Sequence, residues 1–190
     1  MIVLASSSPR RHQLLDMLGI AHEIDPSSAD ERQLPGEGAE AMASRLAREK
    51  ALDVARRHRG RWVLGADTVV VIDDELLGKP RSDADAEAML GRLSGREHRV
   101  VTAVALARDG TVRERRDVTR VWFRSIDGPQ IRAYVATGEP LDKAGAYGVQ
   151  GYGAALVDRI EGDFFGVMGL PLRLVAELLE EAGMPYSFTR

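Results

Sequence analysis

The sequence predicts an α/β fold organised around a mixed β-sheet, and three features lead there. Short apolar runs alternate with stretches of helical period. Residues 62–72 are apolar on both faces, as a strand covered from both sides should be. Two long strand-like runs, 100–107 and 112–123, meet across Asp109-Gly110, a hairpin turn that adds antiparallel pairing to the parallel kind. A chain of 190 residues, 44% hydrophobic and 29% charged, has ample material for a core. One domain over residues 1–190 is expected.

The elements follow in order. Residues 2–5 form a short buried strand. Ser8-Pro9 opens a helix that carries Leu14, Leu15 and Leu18 and stops at Gly19. Residues 22–24 make a second strand. The stretch 25–38, with Pro26, Pro35 and Gly36, reads as a loop. A long Ala- and Arg-rich helix covers 39–58, and the central strand 62–72 follows. Asp73-Asp74 makes a turn before Glu75. Helices are expected over 83–93 and 126–137. A glycine-rich loop covers 141–153, a strand 155–160, and an amphipathic helix 170–182.

Composition removes several function classes. The chain has no cysteine, which excludes disulfides, thiolate zinc sites, iron–sulfur clusters and a cysteine nucleophile. A net charge of −3 and 5% aromatics argue against a footprint or stacking platform for bulk nucleic acid. No run approaches the roughly 20 apolar residues of a membrane span. Residues 1–5 lack the basic start of a signal peptide. A soluble cytoplasmic protein is expected.

Function is sought where residues break local rules. Arg10 and Arg11 occupy the first turn of the first helix, where cations oppose the helix dipole at about 0.3–1 kcal/mol each. With Ser6-Ser7-Ser8 before them they also make an anion cradle of hydroxyls, backbone N–H groups and guanidinium forks, placed at a strand's carboxyl end. Lys50 lies near the middle of an apolar arc of roughly 140° formed by Met42, Ala43, Leu46, Ala47 and Val54 at about 100° per residue. Its ammonium either snorkels to an edge or meets an anion. Asp67 interrupts the central strand, and a carboxylate there needs a partner, a metal or a reaction. Gly78-Lys79-Pro80 adds a fourth cation. The loop Gly145-Ala146-Tyr147-Gly148-Val149-Gln150-Gly151 adds close backbone approach and one amide.

Other patterns are dismissed. Gly36-Glu37-Gly38-Ala39-Glu40-Ala41 imitates a dinucleotide loop but follows no strand. Neither a Walker A sequence nor a nucleophile elbow is present. His12, His22, His58 and His98 are dispersed without an H-E-x-x-H, so no histidine zinc site is expected. Four cations with one carboxylate suit a polyphosphate accompanied by magnesium. If Lys50 serves only phosphates, it repels Arg10, Arg11 and Lys79. Lys50→Met should then leave the fold unharmed.

These motifs resemble the Maf family of nucleoside triphosphate pyrophosphatases. The matching pieces are Leu4-Ala5-Ser6-Ser7-Ser8-Pro9-Arg10-Arg11, Leu46-Ala47-Arg48-Glu49-Lys50-Ala51, Gly65-Ala66-Asp67-Thr68-Val69-Val70 and Gly78-Lys79-Pro80. Leu93-Ser94-Gly95, Val101-Thr102-Ala103-Val104, the glycine-rich loop and Val167-Met168-Gly169-Leu170-Pro171-Leu172 continue in family order. The resemblance implies an elongated fold with a twisted mixed sheet and two lobes about a central cleft, like inosine triphosphate pyrophosphatases. It implies hydrolysis of a nucleoside triphosphate to monophosphate and pyrophosphate with Mg2+ or Mn2+, in a chain that binds neither bulk nucleic acid nor membrane and for which a homodimer is allowed.

The family's proton acceptor falls on Asp67, and its specificity positions fall on Arg10, Thr68 and Gln150. Ser8, Arg11, Lys50 and Lys79 are read as phosphate contacts. Glu31 joins Asp67 as a metal or water ligand. Thr68 and Gln150 resemble the dTTP/UTP branch. The branch acting on 7-methyl-GTP carries glutamine and glutamate there. A glutamine amide both donates and accepts, which suits a pyrimidine's N3–H and adjacent carbonyl, whereas a glutamate only accepts. The alternatives are that 7-methyl-GTP activity and a non-catalytic nucleotide-binding regulator of cell division.

Overall fold

The computed structural model describes residues 1–188. In chain order its elements are β1 (Ile2–Leu4), α1 (Pro9–Met17), β2 (His22–Ile24), α2 (Ala39–Ala55), β3 (Val63–Ile72), β4 (Glu75–Leu77) and α3 (Asp83–Leu93). Then come β5 (Glu97–Arg108), β6 (Thr111–Phe123), α4 (Gly128–Val135), β7 (Val157–Glu161), α5 (Phe164–Met168) and α6 (Leu172–Glu181). Three short 3-10 turns between Glu139 and Leu156 occupy the glycine-rich stretch. Hydrogen bonding orders the sheet β2-β1-β3-β5-β6-β7, with β4 paired to β3 off that path. The sheet is mixed: β1 runs parallel to both β2 and β3, while β4 and β7 are antiparallel to β3 and β6.

Local chemistry accounts for the boundaries. Pro9 sits in the first turn of α1, and Gly19 takes φ +66 just past its end, the left-handed conformation that stops a helix. Ser82 caps α3 by accepting from the Asp85 N–H, with acids in its first turn and Arg92 in its last. Asp127 and Gln130 form a reciprocal capping box on α4. Asp109 and Gly110 both take positive φ, as the tight turn between β5 and β6 requires. Asp73 and Asp74 also have positive φ, because their turn closes a hairpin whose Ile72 faces Glu75. Two elements lie outside the sequence expectation. β4 has three residues and α5 has five, too short for any periodicity to register.

The chain divides into two compact units. Unit 1 comprises residues 1–67, 102–117 and the chain from 169 onward. Its interior holds β1, the first half of β3, and the inner faces of α2 and α6, with Leu4, Leu15, Leu46, Val54, Leu64 and Leu178 fully buried. Unit 2 comprises residues 68–101 and 118–168. Its core joins Val70, Ile72, Leu90, Leu93, Val121, Phe123, Tyr147 and Leu156. Each large buried apolar side chain contributes roughly 1.5–3 kcal/mol. Exposed ion pairs such as Arg96–Asp73 and Arg120–Glu97 are worth about 0–1 kcal/mol. The apolar interiors therefore hold both units. Among the described residues no helix is long and apolar enough to cross a membrane.

Unit 2 buries an imidazole. His98 packs edge-on against Phe123 and Tyr147, and its Nε2 lies 2.8 Å from the Tyr147 hydroxyl. Burial pushes the His98 pKa down from 6.5 to about 4, so the ring is folded in neutral form. Between those two pH values the unfolded chain binds the extra proton, and stability falls as pH drops. The loss should reach about 3 kcal/mol and level off once pH passes below about 4. Urea midpoints of the wild type and His98→Gln across that range test this. The variant should lack this component of the pH dependence; parallel curves would mean that His98 does not contribute it.

Candidate functional site

The site begins with a missing side chain. A Cβ on Gly65 would lie 2.7 Å from the Ala51 backbone nitrogen and still closer to the Ala47 carbonyl oxygen. Only glycine lets the α2 backbone rest this closely on β3. Lys50 stands between Ala47 and Ala51 on the buried face of α2. Asp67 stands two residues beyond Gly65, hence on the same face of the strand. The close approach brings the two together: Lys50 Nζ donates to Asp67 Oδ1 at 2.7 Å. A second carboxylate arrives from the long loop, with Glu31 Oε1 2.6 Å from the same ammonium.

Lys50 thus resolves its sequence conflict by meeting anions on its own chain, and snorkelling is excluded. Lys50 and Asp67 are 7% exposed each, so the pair is shielded from water. Burial drives the Asp67 pKa upward, while Lys50 and then Arg11 pull it down and Glu31 adds to the rise. The net direction is up. Arg11 is half-buried, donating from Nε to the Gly169 carbonyl at 2.9 Å and from a terminal nitrogen to Ser6 Oγ at 3.2 Å. Ser8 is the N-cap of α1 without a side-chain capping bond. Its N–H instead donates to Ser6 Oγ at 3.2 Å. Unit 1 therefore carries Ser8, Arg10, Arg11, Glu31, Lys50 and Asp67.

Unit 2 carries Thr68, Lys79 and Gln150. Thr68 is half-buried, and Lys79 and Gln150 are exposed. The Gly145 N–H donates to the Gly78 carbonyl at 3.1 Å, which ties the glycine-rich loop to the Gly78-Lys79-Pro80 segment. Gly145 has φ +70, and a Cβ there would press on Val70.

Sequence reasoning missed Glu139. Its carboxylate accepts from the Tyr134 hydroxyl at 2.8 Å, the Tyr152 N–H at 2.8 Å and the Gly153 N–H at 3.0 Å. A Cβ on Gly151 would collide with it. Glu139 is the post around which the chain carrying Gln150 turns. The available signal was Gly138-Glu139-Pro140, an acid placed just ahead of a glycine-rich loop.

The histidines are not all dispersed in space. His12 and His22, ten residues apart, meet in the folded chain: His12 Nδ1 lies 2.6 Å from His22 Nε2. The turn through Gly19 reverses the chain and brings β2 back beside α1.

Comparison with known proteins gives a family and close relatives. A family model described as Maf-like protein matches residues 1–182. A protein of Myxococcus xanthus named dTTP/UTP pyrophosphatase is 53% identical over 186 residues, covering 97% of this chain and 94% of that protein. Proteins of the same name from Aquifex aeolicus and Symbiobacterium thermophilum are 45% and 48% identical, each covering at least 95% of both chains. A solved structure of the Staphylococcus aureus Ham1 protein aligns with 95% of this chain and 98% of that one, at 14% identity and a TM-score of 0.48.

The Lys50 geometry reverses the expectation for Lys50→Met. Removing the ammonium leaves Asp67 as a buried charge without its hydrogen-bonded counter-ion, a break that typically costs roughly 3–5 kcal/mol. Denaturant unfolding at neutral pH should show that loss. It should shrink as pH falls and Asp67 takes up a proton, and Lys50→Met/Asp67→Asn should recover most of it. Unchanged stability in the single variant would mean that Lys50 does not hold the site together.

Proposed function

This chain belongs to the Maf-like protein family, and from that premise we propose that it hydrolyses dTTP and UTP to the nucleoside monophosphate and pyrophosphate. The near full-length relatives carrying that activity in their names support the substrate. The chemistry rests on one observation: a buried strand carboxylate, Asp67, clamped by Lys50 with Glu31 alongside.

Water attacks the α-phosphorus, and Asp67 takes its proton. An exposed aspartate is a weak base at neutral pH, but burial raises this one's pKa towards the range where a general base is effective. Lys50 fixes the carboxylate's position and opposes the rise that burial causes in its pKa. Arg11, Ser8 and the N-terminus of α1 neutralise the charge that builds on the pyrophosphate leaving group, and the family resemblance adds Lys79. Glu31 Oε1 and Asp67 Oδ1 already converge on one cation, and such hard oxygen donors fit Mg2+ or Mn2+. These two residues would hold that ion, which supplies charge stabilisation at the phosphate oxygens when bound. The roles of the remaining residues rest on the family resemblance. Gln150 reads the base edge, Thr68 limits its pocket, and Arg10 serves the sugar or phosphates.

Pyrophosphate should appear in one step without orthophosphate, followed by phosphorus NMR. Sequential orthophosphate would place attack at the γ-phosphorus, and nucleotide binding without turnover would support the regulator instead. Asp67→Asn should lose at least ~10²-fold in turnover. Because the base works only when ionised, kcat/KM should fall as pH drops through the Asp67 pKa. In Lys50→Met, which lacks the cation that lowers that pKa, the fall should begin at higher pH.

Base choice gives a separate test. Once a bound base covers Gln150, a polar group left without a partner there costs roughly 1–3 kcal/mol, so Gln150→Glu should lower kcat/KM for dTTP and UTP about ten-fold or more. The penalty on 7-methyl-GTP should be smaller. Wild-type preference for 7-methyl-GTP over both pyrimidine nucleotides would overturn the substrate assignment.

A further inference from the structure

We propose that His12, Asp16 and His22 form a second metal site, one that takes a transition-metal ion of the Zn2+, Co2+ and Ni2+ class. The three side chains each present a ligand atom, and these atoms lie within 4.8 Å of one another. None of them is among the residues assigned to nucleotide, and the proposal does not depend on the pyrophosphatase reading.

The geometry of this cluster suits a cation. His22 Nδ1 lies 2.7 Å from the Ile20 carbonyl oxygen. A carbonyl only accepts, so Nδ1 carries the ring's hydrogen. The neutral ring then has its lone pair on Nε2, the atom that lies 2.6 Å from His12 Nδ1. His12 Nε2 in turn lies 3.2 Å from Asp16 Oδ2, another acceptor. His12 thus stands between the His22 ring nitrogen and the Asp16 carboxylate. A divalent cation placed among them would give two imidazole lone pairs and one carboxylate oxygen a common electrophile.

His22 is also oriented as a metal ligand should be. A coordinating imidazole almost always donates its other N–H to a carbonyl or carboxylate, which fixes its tautomer and strengthens the coordinating nitrogen. The bond to Ile20 does this before any metal arrives. Two imidazoles and one carboxylate favour borderline ions over Mg2+ and Ca2+, which prefer all-oxygen shells. Three protein ligands leave a fourth position for water or an outside ligand. Opening the 2.6 Å nitrogen pair to admit an ion between the ligands needs only side-chain rotation, since His12 is 43% and Asp16 57% exposed. His12 and Asp16 stand one turn apart on α1, and His22 begins β2. A bound ion would therefore cross-link helix to strand across the Gly19 turn.

The test uses metal-stripped, full-length protein with Mg2+ in excess, so that the hard-oxygen carboxylates of Asp67 and Glu31 are already served. Zn2+ uptake is read by titration calorimetry, and Co2+ uptake by its ligand-field absorption. Thermal unfolding with and without Zn2+ gives a third readout. The wild type and Asp67→Asn should both bind one Zn2+, give the absorption of nitrogen-ligated Co2+, and melt at higher temperature with Zn2+. His22→Ala and His12→Ala should lose the Co2+ signal and the thermal shift. Their affinity should fall by more than the ~10–100-fold typical of losing an outer-shell partner. Asp16→Asn, a conservative change on an exposed turn, should keep the fold and weaken binding. Absence of Zn2+ binding in the wild type would overturn the proposal. So would binding abolished by Asp67→Asn, or a Co2+ spectrum unchanged in both histidine variants.

Discussion

The contact between the α2 backbone and β3 at Gly65 is the constraint on which the rest of the site depends. It decides how near the helix lies to the strand, and hence whether a lysine from one can reach an aspartate on the other. A Cβ at residue 65 would collide with the Ala47 carbonyl oxygen, so the helix or the strand would have to move. Glycine is weak within a strand because of its backbone freedom and lack of packing surface. Here that weakness is offset by the packing of Leu46, Ala47 and Val54 from the helix. The site is thus positioned by the apolar core, and the ion pair is a consequence of that packing.

The pair in turn tunes the carboxylate. Burial raises the Asp67 pKa, and pairing with a cation lowers it. The structure sets these tendencies against each other, with desolvation the largest, Lys50 next and Arg11 weaker. Lys50 therefore has two tasks that cannot be separated by deleting it. It keeps the unit folded around a buried charge, and it sets the range in which that charge can take a proton. Arg11 can modulate the same carboxylate from α1 because its Gly169 and Ser6 contacts hold it in place.

Much of this was legible in the sequence, and what was not has a physical pattern. The α3 boundaries, the Asp109-Gly110 turn and the stop at Gly19 were readable because caps and tight turns are local. The ends of α2 and α4 were overextended. Past Ala55 the helix tightens into turns, with the Arg57 and His58 N–H groups donating to the Val54 and Ala55 carbonyls, and before Gly128 the Ile126 N–H donates to Ser94 Oγ instead of to a helix carbonyl. β4 and α5 escaped because a hairpin partner and an aspartate cap, not periodicity, make them. Asp163 accepts the Gly166 N–H at 3.0 Å to start α5, a contact that composition alone does not announce.

The site shows the same limit more sharply. Reading for residues in the wrong place found Asp67, Lys50 and Arg11, because a charge on an apolar face is visible one residue at a time. It could not say what each would meet. The sequence pattern groups Lys50 with cations awaiting phosphate, yet it faces two carboxylates, and that changes the expected effect of removing it from neutral to severe. His12 and His22 were set aside as scattered for the converse reason. Neither breaks a local rule, since a histidine on a half-exposed helix or at the start of an edge strand is ordinary. Their significance lies wholly in a pairing made by the chain reversal at Gly19. Local conflict identifies which residues need a partner, and only the fold supplies it, so residues that acquire a role by meeting each other leave no trace until the chain is folded.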